Sequence, residues 1–131
     1  MASIILVDDH VLVRQGLKRI IQEDPGLQVI HEAGDGLELL GLLKKSSPDI
    51  VILDISMPRL GGLETAEIIK KQYPTMKIMI LTMHREKYFL HRALRIGVEG
   101  YILKEEADAD LNSAIQAVLE DKTYYSPLLR C

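Results

Sequence analysis

The chain has 131 residues, of which 47% are hydrophobic and 27% are charged, and its formal net charge is −3. This length suits one domain with a substantial core, and the composition is that of an ordinary globular protein. The small acidic charge disfavours a nucleic-acid-binding surface, which requires a clustered basic excess. No apolar run reaches the length of a membrane span, and the single cysteine, Cys131, excludes an internal disulfide, so we expect a cytoplasmic protein.

Short apolar runs and amphipathic stretches alternate along the chain, and Pro or Gly residues separate many of them. The apolar runs predict five strands, at Ser3–Val7, Leu27–Glu32, Asp49–Leu53, Lys77–Leu81 and Tyr101–Leu103. The amphipathic stretches predict helices at His10–Glu23, Leu37–Lys45, Leu63–Gln72 and Glu86–Ile96. A fifth helix is predicted by the regular spacing of Leu111, Ala114, Ile115, Val118 and Leu119.

This alternation predicts an α/β fold, a doubly wound five-stranded parallel sheet with five helices distributed over its two faces. The run Ile50–Leu53 is apolar at every position, which is typical of a central strand covered on both sides. It leads directly into Asp54, and a turn containing Pro58, Gly61 and Gly62 follows. Because open α/β sheets bind ligands at the carboxyl ends of their strands, we expect Asp54 to lie at that edge.

Four of the five predicted strands end on side chains that can do chemistry, namely Asp8, Asp9, Asp54, Thr82 and Lys104. In one common doubly wound order, 2-1-3-4-5, the first and third strands are neighbours, so the three carboxylates converge. At an effective dielectric of ~20 and a separation of ~5 Å, each carboxylate pair costs about 3 kcal/mol. One lysine cannot cancel three such charges. We therefore expect a hard divalent cation, Mg²⁺, which prefers carboxylate and backbone oxygens.

A carboxylate beside Mg²⁺ can attack phosphorus and form an acyl phosphate. Asp54 is the predicted nucleophile because it stands alone at the end of the central strand. Lys104 can hold one phosphoryl oxygen as a point charge, and the Thr82 hydroxyl can donate to another. The adjacent Asp8 and Asp9 are predicted to form the metal-binding end of the site.

Four motifs together resemble the receiver domain of two-component response regulators: Val7–His10, Leu53–Gly62, Ile80–Thr82 and Gly100–Lys104. Each motif alone is weak, but all of them in this order and spacing are specific. The resemblance runs from about Ser3 to Leu119, nearly the whole chain. The sequences at Leu81–His84 and Tyr124–Pro127 are similar to the NarL/FixJ (LuxR-type) subfamily. The resemblance implies the flavodoxin-like receiver fold with strand order 2-1-3-4-5.

The resemblance also implies roles for individual residues. Asp54 would accept a phosphoryl group from the phosphohistidine of a sensor histidine kinase. Asp9 and Asp54 would bind Mg²⁺ directly, the backbone carbonyl of Ser56 would supply a further oxygen, and Asp8 would act through water. The resulting function is a phosphorylation-activated switch, which is an enzyme only in phosphorylating and dephosphorylating itself.

Lys104 and Thr82 would bind the phosphoryl oxygens, and Tyr101 would act with Thr82 as the switch pair. We expect residues 1–121 to form the receiver domain and residues 122–131 to begin a linker toward a DNA-binding effector domain outside this chain. The family implies transcription regulation through that effector, and often a phosphorylation-dependent homodimer. DNA would be contacted only by that effector domain, which is not in this chain.

Three alternatives remain open at this point. A Mg²⁺-dependent phosphatase would also use an aspartyl nucleophile. Such enzymes typically carry an Asp-x-Asp pair after the first strand, whereas Asp8 and Asp9 are adjacent in this sequence. A flavodoxin-like nucleotide- or flavin-binding domain would need a glycine-rich phosphate loop after that strand, and none is present. A receiver could also act alone through protein–protein contacts, whether or not it is phosphorylated.

Overall fold

The computed structural model describes residues 1–129 of the chain. Strands and helices alternate within this range as β1 (Ala2–Val7), α1 (Val11–Gln22), β2 (Leu27–Ala33), α2 (Gly36–Leu43), β3 (Ile50–Leu53), α3 (Gly62–Gln72), β4 (Lys77–Thr82), α4 (Lys87–Ile96), β5 (Gly100–Leu103), α5 (Ala107–Leu119) and β6 (Tyr124–Tyr125). Two short 3-10 segments follow β5 and β6, at Lys104–Glu106 and Pro127–Leu129. The predicted α/β alternation is therefore confirmed, with element bounds shifted by a few residues.

All strand pairs in the sheet are parallel, and the strand order is β2-β1-β3-β4-β5-β6. The expected order 2-1-3-4-5 is confirmed for the first five strands. The expected number of strands is wrong, because β6 adds a sixth strand beside β5. A two-residue strand is too short to carry an alternating pattern, so the sequence did not reveal it.

Two hydrophobic cores fill the space between the sheet and its helices. Alternate residues of β3 belong to different cores, because successive strand side chains point to opposite faces. Helices α2, α3 and α4 cover the face that includes Val51 and Leu53. Helices α1 and α5 cover the face that includes Ile50 and Ile52. All four of these strand residues are fully buried, as the apolar run predicts for a central strand.

The segment after α5 packs against the sheet. Ser126 N donates to Tyr101 O at 2.8 Å, and the buried Ser126 hydroxyl bonds Glu106 Oε1 at 2.5 Å. Leu129 is buried in the core on the α2–α4 face. Arg130 and Cys131, the last two residues of the expected linker, lie outside the described residues. Within residues 1–129, the helices are too short or too polar to cross a lipid bilayer.

The start of α3 lies unusually close to the end of β3. Gly62 N donates to Ile55 O at 2.9 Å, and a Cβ on Gly62 would stand 1.8 Å from Asp54 O. The obstructing atom is backbone and cannot rotate away, so only glycine fits at this position. Gly62 thus lets α3 approach the residue at the end of the central strand.

We expect Gly62→Ala to lower the free energy of unfolding by about 2 kcal/mol, since relieving the overlap requires a backbone shift. Gly41→Ala is the matched control, because Gly41 lies within α2 and a Cβ there meets nothing within 4 Å. The control should be more stable than the parent by about 0.5–1 kcal/mol, as alanine favours the helix. Urea unfolding measures both values, and equal stability of the two variants would contradict the close approach at Gly62.

Candidate functional site

The carboxylates at the ends of β1 and β3 lie side by side because these two strands are neighbours. Asp8 and Asp54 are both buried, with 1% and 5% of their surfaces exposed. Lys104 follows β5, and its Nζ reaches between them, 2.7 Å from Asp8 Oδ2 and 3.1 Å from Asp54 Oδ2. Ile55 N donates to Asp54 Oδ1 at 2.7 Å, and this bond orients the carboxylate so that Oδ2 faces Lys104. Three of the predicted site residues therefore meet at one edge of the sheet.

Asp9 completes an acidic pocket beside this ion pair. Potential ligand atoms of Asp8, Asp9, His10 and Asp54 all lie within 4.8 Å of one another. The Asp9 Oδ1 and Asp8 Oδ2 atoms are buried and accept no well-directed hydrogen bond, although Lys104 Nζ is close to the latter. A buried carboxylate oxygen that accepts no hydrogen bond, such as Asp9 Oδ1, suits a hard cation, because a cation can satisfy it directly. The carboxylate oxygens of this pocket are therefore suitable ligands for Mg²⁺.

His10 is a member of this pocket to which the sequence assigned no role. Its Nδ1 lies 3.1 Å from Asp9 Oδ1 and 3.4 Å from Asp8 Oδ1, and its backbone N donates to Asp8 Oδ1 at 2.9 Å. The ring is largely exposed, so it forms the outer wall of the pocket. Its position directly after the two aspartates in the sequence could have indicated that it lies in this pocket.

The charge on Lys104 is stabilised by its two partners. Partial burial by itself lowers the pKa of this lysine, but the carboxylates of Asp8 and Asp54 outweigh that effect and hold its pKa above the ordinary value. Lys104 is therefore a fixed positive charge between two buried negative ones. This arrangement balances part of the repulsion that the sequence predicts for the site.

Thr82, His84 and Tyr101 form a second group next to the acidic pocket. Thr82 is fully buried at the end of β4, and its Oγ1 accepts a hydrogen bond from His84 N at 3.1 Å. The buried Tyr101 donates its hydroxyl to His84 O at 3.2 Å. Burial raises the pKa of the Tyr101 hydroxyl, and the charges of Glu86 and Asp54 raise it further, so it remains a neutral donor.

Ser56 lies in the exposed loop after β3, and its side chain contacts the loop after β4. Its Oγ is 2.7 Å from His84 Nε2, and the His84 ring packs against Phe89 with 4.6 Å between ring centroids. His84 thus links the loop of Ser56 to both Thr82 and Tyr101. The sequence missed this role, since a contact between two loops depends on their paths in space.

Arg14 fixes the end of β1 from the other side. Its Nη1 donates to Asp8 O at 2.6 Å, and its Nε donates to Glu32 Oε1 at 3.0 Å on β2. The arginine therefore ties the backbone of the first aspartate to the neighbouring strand. Sequence periodicity places Arg14 on α1 but gives no indication of this contact.

The fold and the site together define a flavodoxin-like α/β domain with an acidic pocket and a lysine at the carboxyl edge of its sheet. The family model of the response regulator receiver domain matches residues 4–116. The chain therefore belongs to the response regulator receiver domain family.

Two similar regulators are longer than this chain. It is 35% identical to the transcriptional regulatory protein DegU of Brevibacillus brevis over 126 residues, which are 95% of this chain and 53% of DegU. It is 36% identical to the response regulator GacA of Pseudomonas viridiflava over 127 residues, 97% of this chain and 59% of GacA. The chain thus spans little more than half the length of these relatives.

Solved structures agree with both the family and the subfamily. A LuxR-family two-component response regulator from Aurantimonas sp. SI85-9A1 superposes with a TM-score of 0.95 at 38% identity, covering 98% of this chain and 92% of that one. The isolated receiver domain of RcsB from Salmonella enterica serovar Typhimurium, solved with the phosphomimetic BeF3⁻, gives a TM-score of 0.91 at 28% identity. That match covers 98% of this chain and 95% of the RcsB domain. The predicted similarity to LuxR-type regulators is confirmed.

We expect Asp9→Asn to stabilise the metal-free protein by about 1 kcal/mol, because it removes one of three converging negative charges. In excess Mg²⁺ the order should reverse, since the parent gains stability from a cation that the variant binds less well. Thermal unfolding in EDTA and in Mg²⁺ measures both effects. Glu67→Gln, an exposed acid on α3, is the control and should change neither value. If Asp9→Asn were less stable than the parent in EDTA, the repulsion among the three carboxylates would be contradicted.

Lys104 also predicts a dependence of stability on alkaline pH. Its pKa in the folded chain is raised, so its ion pairs contribute fully below the unfolded-state pKa and are lost as pH rises through the folded-state pKa. The parent should therefore exceed Lys104→Gln in stability by a constant amount near neutral pH. That difference should shrink above a pH of about 10.5, the ordinary lysine value. Denaturant titrations of both proteins from neutral to alkaline pH measure it, and an unchanged difference would exclude the ion pairs.

Proposed function

We propose that this chain is a phosphorylation-activated switch in which Asp54 accepts a phosphoryl group from a sensor histidine kinase. The observation that carries the proposal is the position of Asp54. Its carboxylate lies beside Lys104 Nζ and within the acidic pocket, at the edge of the sheet where open α/β folds bind ligands. Membership of the receiver family supports the same conclusion.

In the proposed transfer, an oxygen of Asp54 attacks phosphorus while the phosphorus–nitrogen bond of the kinase phosphohistidine breaks. The bonding electrons return to the imidazole of the kinase. Mg²⁺, held by Asp9, Asp54 and the Ser56 carbonyl, with Asp8 acting through water, would supply positive charge for the incoming phosphoryl oxygens. Lys104 Nζ lies 3.1 Å from Asp54 Oδ2 and would contact one of those oxygens. Hydrolysis of the acyl phosphate would later restore Asp54.

Thr82 and Tyr101 would report the phosphorylation through His84. The Thr82 Oγ1 accepts from His84 N, which leaves its own hydrogen available for a phosphoryl oxygen. Movement of Thr82 toward that oxygen would break its bond to His84 and shift the backbone to which the Tyr101 hydroxyl is bound. The buried Tyr101 ring would then change its position beside β4, and the surface near α4 would change with it.

The output of the whole protein is proposed from its relatives. DegU is a transcriptional regulatory protein by name, and RcsB has been solved as dimers bound to DNA. We propose that residues 1–121 act as the receiver, and that residues 122–131 lead toward a DNA-binding effector domain in the full-length protein, although residues 124–129 also pack against the receiver sheet. A phosphorylation-dependent homodimer and a cytoplasmic location complete the proposal. The lone cysteine suits that compartment.

We expect the intact mass of the protein to increase by one phosphoryl group after incubation with acetyl phosphate and Mg²⁺. The gain should vanish when Mg²⁺ is replaced by EDTA, and in Asp54→Ala. It should persist in Asp49→Ala, which removes an exposed aspartate at the opposite end of β3. A gain that survives in Asp54→Ala would refute the nucleophile. Continuous release of phosphate from a small ester, lost in the same variant, would favour the phosphatase alternative.

A further inference from the structure

The loop that carries Ser56 adopts a backbone conformation that its sequence does not favour. Arg59 lies in this loop with φ = 64°, in the left-handed region. A residue with a Cβ is strained there, and such a conformation persists only where other contacts hold it. Residues 54–61 connect the end of β3 to α3, and they include two of the proposed ligands of Mg²⁺. The contacts that hold Arg59 therefore affect the positions of two proposed metal ligands.

The Arg59 side chain is held by Asp35, which lies between β2 and α2. Arg59 Nε donates to Asp35 Oδ2 at 2.8 Å, and Nη2 contacts the same oxygen. Asp35 is buried and caps α2, since its Oδ1 accepts from Glu38 N at 2.9 Å. The Glu38 N–H and the Arg59 guanidinium hold the pKa of Asp35 below its usual value, so the carboxylate stays charged. The Asp35 carboxylate, which accepts from Arg59, is thus itself held in place by α2.

A second contact joins the same two segments. Gly36 N donates to Leu60 O at 3.1 Å, one residue beyond Arg59. A Cβ at Gly36 would lie 2.9 Å from that carbonyl oxygen and 1.9 Å from Thr65 Oγ1. The start of α2 therefore lies directly against the loop, with no space for a side chain between them. The ion pair and this hydrogen bond fix the loop from outside the acidic pocket.

We propose that Arg59 is a positioning residue for the metal-binding end of the site, and that it acts by pairing with Asp35. The pair holds residues 54–61 in the conformation that presents Asp54 and Ser56 together. This role rests on the proposed function, because it presupposes that Mg²⁺ binds there. Arg59 is not among the proposed ligands of Mg²⁺ or of the phosphoryl group.

The test compares the Mg²⁺ dissociation constants of the parent and its variants, measured from amide shifts in NMR titrations. Arg59→Gly removes the ion pair but accepts the left-handed backbone, and Asp35→Asn removes the charge while retaining an oxygen for the helix cap. Asp121→Gly is the matched control. Asp121 also has a positive φ of 66° and an ion pair, with Lys77 at 2.8 Å, but it lies after α5, away from the pocket.

We expect Arg59→Gly and Asp35→Asn each to weaken Mg²⁺ binding by about tenfold, the lower end of what partners that orient metal ligands contribute. The double variant should bind no more weakly than either single variant, because both remove the same contact. Asp121→Gly should bind as the parent does. Arg59→Lys, which keeps the positive charge on a single donor nitrogen, should recover part of the affinity.

Simple charge effects make the opposite prediction for Arg59→Gly. Removing a positive charge near the pocket would tighten Mg²⁺ binding, whereas removing the negative charge of Asp35 would weaken it. Opposite changes in the two variants, or an Arg59→Gly affinity equal to that of Asp121→Gly, would overturn the positioning role. A parent protein that does not bind Mg²⁺ would instead overturn the metal site of the proposed function, and the positioning role with it.

Discussion

One lysine ammonium group offsets the repulsion between two buried carboxylates, and the arrangement of the sheet makes this contact possible. Asp8 and Asp54 converge because β1 and β3 are adjacent, whereas Lys104 comes from β5. Since neighbouring strands lie about 4.8 Å apart, the lysine must reach over the end of β4 to meet both acids. The compact Thr82 stands at that end. Excess negative charge remains beside Asp9, and this excess makes the site receptive to a cation.

The site combines a rigid part with a part held by side-chain contacts. Asp8, Asp54, Thr82 and Lys104 directly follow or end strands whose residues are buried on both faces, so packing of two cores fixes their positions. Ser56 and His84 instead lie in loops, and a side-chain hydrogen bond between them joins these loops. This division suits a switch, because the rigid part can carry out the same chemistry while the loops adopt different arrangements.

Most of the fold and the centre of the site could be predicted from the sequence, since both depend on local patterns. The five apolar runs specify the first five strands, and Asp54 could be located because it ends the most apolar of them. Contacts that depend on the paths of loops could not be predicted in this way. The left-handed conformation of Arg59 is one example, because arginine, unlike glycine, gives no indication of a positive φ. The contact between Ser56 and His84 joins residues 28 positions apart and follows no periodicity.

The short strand β6 has a consequence for association between chains. A parallel sheet with an uncovered outer strand offers a row of backbone donors and acceptors that a foreign strand can occupy. Tyr124 N donates to Glu99 O just before β5, and Ser126 N donates to Tyr101 O within it, so β6 covers this edge of β5. Among the described residues, β2 and β6 are then the two outer strands, and β6 is only two residues long, which limits pairing at its edge. The segment of Tyr124, Tyr125 and Ser126 thereby protects β5 from pairing with a strand of another chain.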